Sequence, residues 1–253
     1  MYQNKVKRRI AEKKPVVGCI VNGPYPALVE ILGLVGFHFI FIDTEHSSLS
    51  LSQCEELIRA SELRDIVPII RVPENNPKDI LHLMDLGAMG LIVPEISSRE
   101  EAEAVVRAAK YAPMGNRGLA TTRSADFGFG KPKPGLLEQA NRETILIVLI
   151  ESSRGVENAA DILCVEGIDG CFIGTSDLSM SMGHLGDVDH EEVKFATKQV
   201  LQSAQKLGKF AGIVVRSGES PKELLEMGFS MVFLNIHSLI KKASLDFINE
   251  ALS

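Results

Sequence analysis

The chain lacks the cysteine spacing of a metal knuckle or a disulfide framework: its four cysteines, at 19, 54, 164 and 171, include no CxxC. They read as buried, reduced thiols, which predicts a cytosolic protein. A long apolar run is also missing. The basic N-terminus, Met1 to Lys14, is followed only by the short run Val16 to Val21, which suits neither a signal peptide nor a membrane span. That basic segment is expected to be a solvated first helix or arm. Positive charge is not in excess, and a net charge of −6 argues against broad nucleic-acid or anionic-membrane binding. No linker or low-complexity segment divides the 253 residues, so one domain over 1–253 is expected.

What is present is an alternation. Eight short runs rich in β-branched residues recur, each followed by a segment of helical periodicity, as in a parallel sheet that closes on itself. Strands are predicted near Val16–Val21, Phe37–Ile42, Val67–Ile70, Gly90–Val93, Ile145–Ile150, Gly170–Ile173, Ala211–Val215 and Met231–Leu234. Helices are predicted near 25–35, 50–62, 77–86, 98–110, 134–141, 155–164, 190–207, 220–227 and 238–251. Asn76 before Pro77, and Ser97 or Ser98 before Arg99, suit helix starts. Gly87, Gly167, Gly208 and Gly228 suit left-handed helix ends. An open doubly wound sheet would normally carry GxGxxG after its first strand, and Asn22-Gly-Pro-Tyr-Pro26 is not that turn. The predicted fold is therefore a (β/α)8 TIM barrel. Its long irregular stretch, Tyr111 to Pro134, is expected to have a function.

In such a barrel the C-terminal strand ends carry the chemistry. Here they carry Asp43-Thr44-Glu45-His46, Arg71, Glu151 and Asp177. Carboxylates leaving neighbouring strands about 4.8 Å apart can converge on one hard divalent cation. A cation on Glu151 and Asp177 could take a 2-oxo acid through its carboxylate and keto oxygens and, as a Lewis acid, stabilise the enolate. Arg71 would add a permanent positive donor. His46 titrates in the range for proton transfer, and Asp43 could orient it or hold water. Each residue also has a plain alternative: Glu151 and Asp177 capping the helix that follows each, Asp43 and Glu45 as helix caps, Arg71 paired with an interior acid, His46 as a loop histidine. His38, His82, His184, His190 and His237 lack ligand spacing and read as structural. Glycines at Gly115-Asn-Arg-Gly118 and Gly128-Phe-Gly130 suit a phosphate cradle or equally a lid or subunit contact. Arg117 and Arg123 could meet a distal substrate carboxylate or simply bind nearby acids and helix ends.

Four segments carry a family resemblance: Phe41-Ile-Asp-Thr-Glu-His46, Gly87-Ala-Met-Gly-Leu-Ile-Val-Pro94, Lys110-Tyr-Ala-Pro-Met-Gly-Asn-Arg-Gly118 and Gly167-Ile-Asp-Gly-Cys-Phe-Ile-Gly-Thr-Ser-Asp-Leu-Ser179. With them the whole chain resembles the HpcH/HpaI class II pyruvate aldolases, which act on 4-hydroxy-2-oxoheptanedioate or related 2-keto-3-deoxy sugar acids. The resemblance implies Mg²⁺, Mn²⁺ or Co²⁺ on Glu151 and Asp177, with Arg71 at the pyruvate oxygen and Asp43 with His46 in proton transfer. It implies backbone donors at Gly174, Thr175 and Ser176 for the substrate carboxylate, and Val214 beside the aldehyde pocket. It also implies a homohexamer, a trimer of dimers, that exchanges C-terminal helices and lets Asp85 reach a neighbour's site. A place in aromatic-compound catabolism goes with the same family. Two positions depart from its pattern: Leu149 stands where Gln is usual, and Gly174-Thr-Ser-Asp177 replaces Gly-Pro-Ala-Asp. The rival readings are a citrate-lyase β-subunit-like CoA-ester lyase and a metal-binding barrel without turnover.

Overall fold

The computed structural model describes residues 3–129 and 135–253. Eight parallel strands, β1 Val16–Val21, β2 Phe39–Asp43, β3 Val67–Arg71, β4 Gly90–Val93, β5 Ile145–Ile150, β6 Gly170–Ile173, β7 Phe210–Val214 and β8 Met231–Asn235, close in sequence order, with β8 pairing β1. Helices α1 Lys5–Ala11, α2 Pro26–Val35, α3 Leu51–Leu63, α4 Pro77–Asp85, α5 Arg99–Ala109, α6 Leu136–Glu143, α7 Ser153–Glu157, α8 Ala159–Leu163, α9 Thr175–Ser181, α10 Glu191–Lys206, α11 Pro221–Glu226 and α12 Ile236–Leu252 surround it. The predicted barrel is thus observed, and four of the eight strands have the expected bounds. Phe37 and His38 stay outside β2, while β3 extends through Arg71 and β7 ends at Val214.

Local chemistry accounts for many of the boundaries. Ser98 and Glu101 form a capping box at α5, and Asn76 accepts from Lys78 N at 2.8 Å at α4. The helix-ending glycines at 87, 167, 208 and 228 all have positive φ, between 67° and 108°. The segment expected as one helix over 155–164 is two short ones, α7 and α8, broken at Asn158. The helix α9, directly after β6, has no counterpart among the expected helices. The described part of the long stretch holds a 3₁₀ turn at Arg123–Gly128, and the rest of it, 130–134, lies outside the described residues.

Two apolar layers hold the molecule together. One fills the gap between strands and helices. The other fills the barrel, where Phe39, Phe41, Phe172 and Phe233 pack with ring centroids 4.5–6.4 Å apart. Such large rings need missing neighbours: a Cβ at Gly18 would sit 2.2 Å from the Phe39 ring, and one at Gly212 2.4 Å from Phe172. The basic segment forms the first helix expected, α1, but not a wholly solvated one. Its Val6 is fully buried and joins the barrel layer, while Asn4 donates to Met89 O and Glu143 O at 3.0 and 2.9 Å. An apolar face on a basic helix lets it close the N-terminal end of the barrel.

Cysteines 19, 54 and 171 are buried, as expected, but Cys164 is exposed at the end of α8, where Arg99 Nη1 lies 3.2 Å from its sulfur. All four are free thiols. Among the described residues no helix is long and apolar enough to cross a membrane.

Candidate active site at the C-terminal strand ends

Asp43 ends β2 and Arg71 ends β3, and the parallel register places them directly opposite each other. Arg71 grips Asp43 with two parallel bonds, Nε to Oδ1 at 2.9 Å and Nη2 to Oδ2 at 2.7 Å. This fork is the geometry that guanidinium and carboxylate share. The Phe41 ring lies under the guanidinium, 5.3 Å from centroid to Cζ. Burial pushes the Asp43 carboxyl up, but the Arg71 fork and the amides of His46 and Glu45 outweigh it and hold the group below its usual range. The Asp43 carboxylate therefore contacts His46 through that residue's backbone N–H, at 3.2 Å, while the imidazole points to the rim and is two-thirds exposed.

Arg71 reaches a second acid. Its Nη1 lies 2.8 Å from Glu45 Oε2, yet off the hydrogen-bonding direction, so this buried oxygen accepts no bond. Burial raises the Glu45 carboxyl above its ordinary value; Arg71 and His46 oppose this, and Asp43 and Glu95 add to it.

Across the mouth, Glu151 follows β5. Its Oε1 accepts from the Glu95 amide at 2.8 Å, and its Oε2 faces Gly174, where an added Cβ would lie 2.7 Å away. Glycine at the end of β6 is what leaves room for this carboxylate. Burial is the main reason that the Glu151 pKa is pushed up to about 7, with the charges of Asp177 and Glu45 adding to it and the Glu95 amide and Arg71 opposing it. The two predicted ligands, Glu151 and Asp177, are thus close enough to repel. Asp177 is exposed in the first turn of α9. Clustered carboxylates, a fork already committed to Asp43 and an unbonded oxygen on Glu45 form a donor set that suits a hard divalent cation.

The remaining predicted residues divide. The Gly174 amide is spent on Ile150 O at 3.1 Å, so Thr175 and Ser176, which open α9, supply the amides without a helical partner. Val214 ends β7, partly buried against the barrel layer. Leu149 is 6% exposed, packs in that layer and pairs in register with Phe172, so it faces the barrel interior. Asp85 is not brought to this mouth in its own chain. It ends α4, at the opposite end of the barrel, and accepts from Arg117 Nη2 at 2.7 Å.

The long stretch serves structure where it is described. Arg117 holds Asp85 and stacks over Tyr111, and Arg123 binds Glu62 and Leu86 O. Gly115 is a close approach, since a Cβ there would meet Lys110 O at 2.3 Å. Gly130 of the second glycine pair lies outside the described residues. One site residue escaped the sequence reading. Glu95, just past β4, has an exposed side chain and a left-handed φ of 57°, a strained conformation for a non-glycine. Its position two residues beyond the end of β4 was the available signal, because neighbouring strand ends supply the other acids.

The comparisons agree with this geometry. The model of the family described as HpcH/HpaI aldolase/citrate lyase matches residues 17–239. A 5-keto-4-deoxy-D-glucarate aldolase of Escherichia coli O139:H28 is 34% identical over 232 residues, covering 92% of this chain and 90% of that protein. Among solved structures, an HpcH/HpaI aldolase/citrate lyase family protein of Burkholderia cenocepacia J2315 superposes with a TM-score of 0.93 at 28% identity, over 99% of this chain and 100% of that one. The citrate synthase SbnG follows at 0.87 and 29%, over 98% of each chain. With its closed barrel and its acids gathered at the strand C-termini, the chain belongs to the HpcH/HpaI aldolase/citrate lyase family and is a carbon–carbon lyase.

Proposed function

We propose that the protein reversibly cleaves a 4-hydroxy-2-oxo acid, of the 2-keto-3-deoxy sugar-acid kind, to pyruvate and an aldehyde, using Mg²⁺, Mn²⁺ or Co²⁺ held by Glu151 and Asp177. The observation that carries this reading is the buried Glu151 carboxylate, pressed by the charges of Asp177 and Glu45, with the Arg71 guanidinium 2.8 Å from Glu45. When bound, such a cation supplies Lewis-acid polarisation of the 2-oxo group. The chain's own groups do the rest. Two of the five Arg71 N–H groups are spent on Asp43, which fixes the plane of the guanidinium; the others are left for the oxygen on which charge develops. Amides of Thr175 and Ser176 would receive the substrate carboxylate. His46, with Nε2 3.9 Å from Glu45 Oε2, stands at the rim where it can exchange a proton with the aldehyde-side hydroxyl.

Two apolar residues wall the pocket below the mouth. Leu149 fills the position below Glu151 with hydrocarbon, so it cannot hold a water or a substrate oxygen there, and Val214 adds another apolar wall. The second reading is condensation or cleavage at oxaloacetate rather than pyruvate, favoured by the likeness to citrate synthase SbnG. A CoA-ester lyase would need, beside this mouth, a surface for the cofactor's nucleotide. Assembly as a hexamer, with Asp85 completing a neighbour's site, belongs to the same proposal.

The test offers pyruvate with glycolaldehyde, lactaldehyde or succinic semialdehyde, with and without each metal. Exchange of pyruvate methyl protons with deuterium is followed in parallel. Metal-dependent exchange and product from at least one aldehyde are expected. Full activity after exhaustive chelation, or no exchange with any metal, would overturn the reading; activity confined to oxaloacetate would select the second.

A further inference from the structure

At the far end of α9 from Asp177, the loop from α9 to α10 doubles back through left-handed backbone at Gly183, Leu185 and Gly186, with φ of 83°, 49° and 89°. Leucine in that region is strained, so the surrounding contacts hold the turn. Its effect is to bring His184 beside His190, and the first turn of α10 adds Glu192. The two imidazoles stack with centroids 3.6 Å apart and 18° between planes. His184 Nε2 lies 2.9 Å from Glu192 Oε2. One ligand atom from each of the three residues lies within 4.8 Å of the other two. Both histidines are half-buried and Glu192 is exposed, so the cluster is braced on one side and open to solvent on the other.

We propose that His184, His190 and Glu192 form a second cation site, specific for an imidazole-preferring ion such as Zn²⁺. Two imidazoles and a carboxylate are a zinc donor set that leaves a position for water, whereas the carboxylates at the mouth suit Mg²⁺. The rings are stacked rather than convergent, so uptake turns at least one of them about its own side-chain torsions. The ion replaces the proton shared by His184 and Glu192. His190 Nδ1 accepts the Glu192 amide at only 3.3 Å, and an ion on Nε2 shifts that ring's proton to Nδ1 in exchange for this long bond. Nearby Asp189 does not compete, being drawn to Lys194 and Arg216 at 3.5 and 3.6 Å.

The location gives the site a consequence. The 184–190 loop is pinned to α9 by the His184 amide, which donates to Ser179 O at 2.8 Å, and Asp177 lies in the first turn of the same helix. About 10 Å of helix separates the two ends. An ion joining the end of α9 to the start of α10 braces the element that carries Asp177, and it stabilises the folded chain by linkage.

The full-length protein is saturated with Mg²⁺ to occupy the oxygen-rich mouth and then titrated with ZnCl₂ by calorimetry, with the melting temperature measured alongside. One Zn²⁺ per chain that excess Mg²⁺ does not displace, together with a raised melting temperature, is expected. His184→Ala should weaken this binding by more than the roughly 10–100-fold typical of losing an outer-shell partner and cancel the rise in melting temperature, with Mg²⁺-supported activity unchanged. Glu192→Gln, which leaves the ring stack and the helix cap in place, should weaken binding in the same direction. Zn²⁺ displaced by Mg²⁺, or bound equally by wild type and both variants, would overturn the proposal. Because the readout is binding, it stands or falls apart from the aldolase reading.

Discussion

Arg71 and Glu151 stand at the same mouth with opposite electrostatic problems. Arg71 is held in one plane by Asp43, and Lys in its place would keep the charge but lose the fork. Arg71→Lys should therefore lower kcat by roughly 100-fold or more, the usual cost of losing a donor to a developing oxyanion. A variant with unchanged kcat and a weaker KM alone would mean that Arg71 serves ground-state binding. Glu151 is a buried acid whose pKa is raised from 4.5 to about 7. The folded chain thus holds this proton more tightly than the unfolded one. The resulting stability is complete below pH ~4.5 and is lost as pH rises through about 7, on the order of 3 kcal/mol in all. Metal-free wild type should then lose melting temperature between pH 5 and 8 more steeply than Glu151→Gln. Equal slopes would remove the linkage. Cation binding runs the other way and should strengthen over the same window, because the ion competes with that proton.

Elements decide how close these groups come. The turn from β6 into α9 is a close approach, since any Cβ at Gly174 would press on the Glu151 side chain at both its Cβ and Oε2, at 2.8 and 2.7 Å. Gly174 has φ of −86°, so alanine meets no backbone strain there and the cost is purely one of contact. Gly174→Ala should leave the barrel folded, with a circular dichroism spectrum like wild type, and weaken Mn²⁺ binding as Glu151 is displaced. Wild-type Mn²⁺ affinity in that variant would show that Glu151 is not a ligand. The strands do the reverse at β2 and β3, where backbone pairing carries Asp43 and Arg71 together without any adjustment by loops.

At the scale of the whole molecule, α12 is the unfinished element. Its Ile236 is buried against the barrel, but Ile240, Leu245, Phe247, Ile248 and Leu252 are between 46% and 83% exposed. On α2, Ile31, Leu34 and Val35 are exposed as well. Exposed apolar side chains of this kind suit an association face, and the exchange of α12 with a neighbouring copy, part of the assembly proposed above, would cover them. Truncation after Ser238 should give smaller species in light scattering, with loss of any site completed by the neighbour's Asp85. Retention of the wild-type mass would refute the exchange.

The sequence by itself determined the barrel and several of the residues that stand at its mouth. Strand periodicity, helix caps and glycine helix ends act within a few residues, so they can be read without knowing what lies across the sheet. Ile145–Ile150 followed by Glu151, and Gly170–Ile173 followed by Gly174 to Asp177, already placed two acids at neighbouring strand ends. Tertiary structure decided the pairings among distant residues. It alone joined Arg71 to Asp43 rather than leaving Asp43 to the His46 ring, bent Glu95 into the site through a strained backbone, drew Val6 of a basic helix into the barrel, and left Cys164 at the surface. Likewise His184, His190 and Glu192 meet through a left-handed turn that no ligand spacing announces. Each of these depends on register, on packing volume or on backbone handedness, and such quantities exist only once the chain has closed on itself.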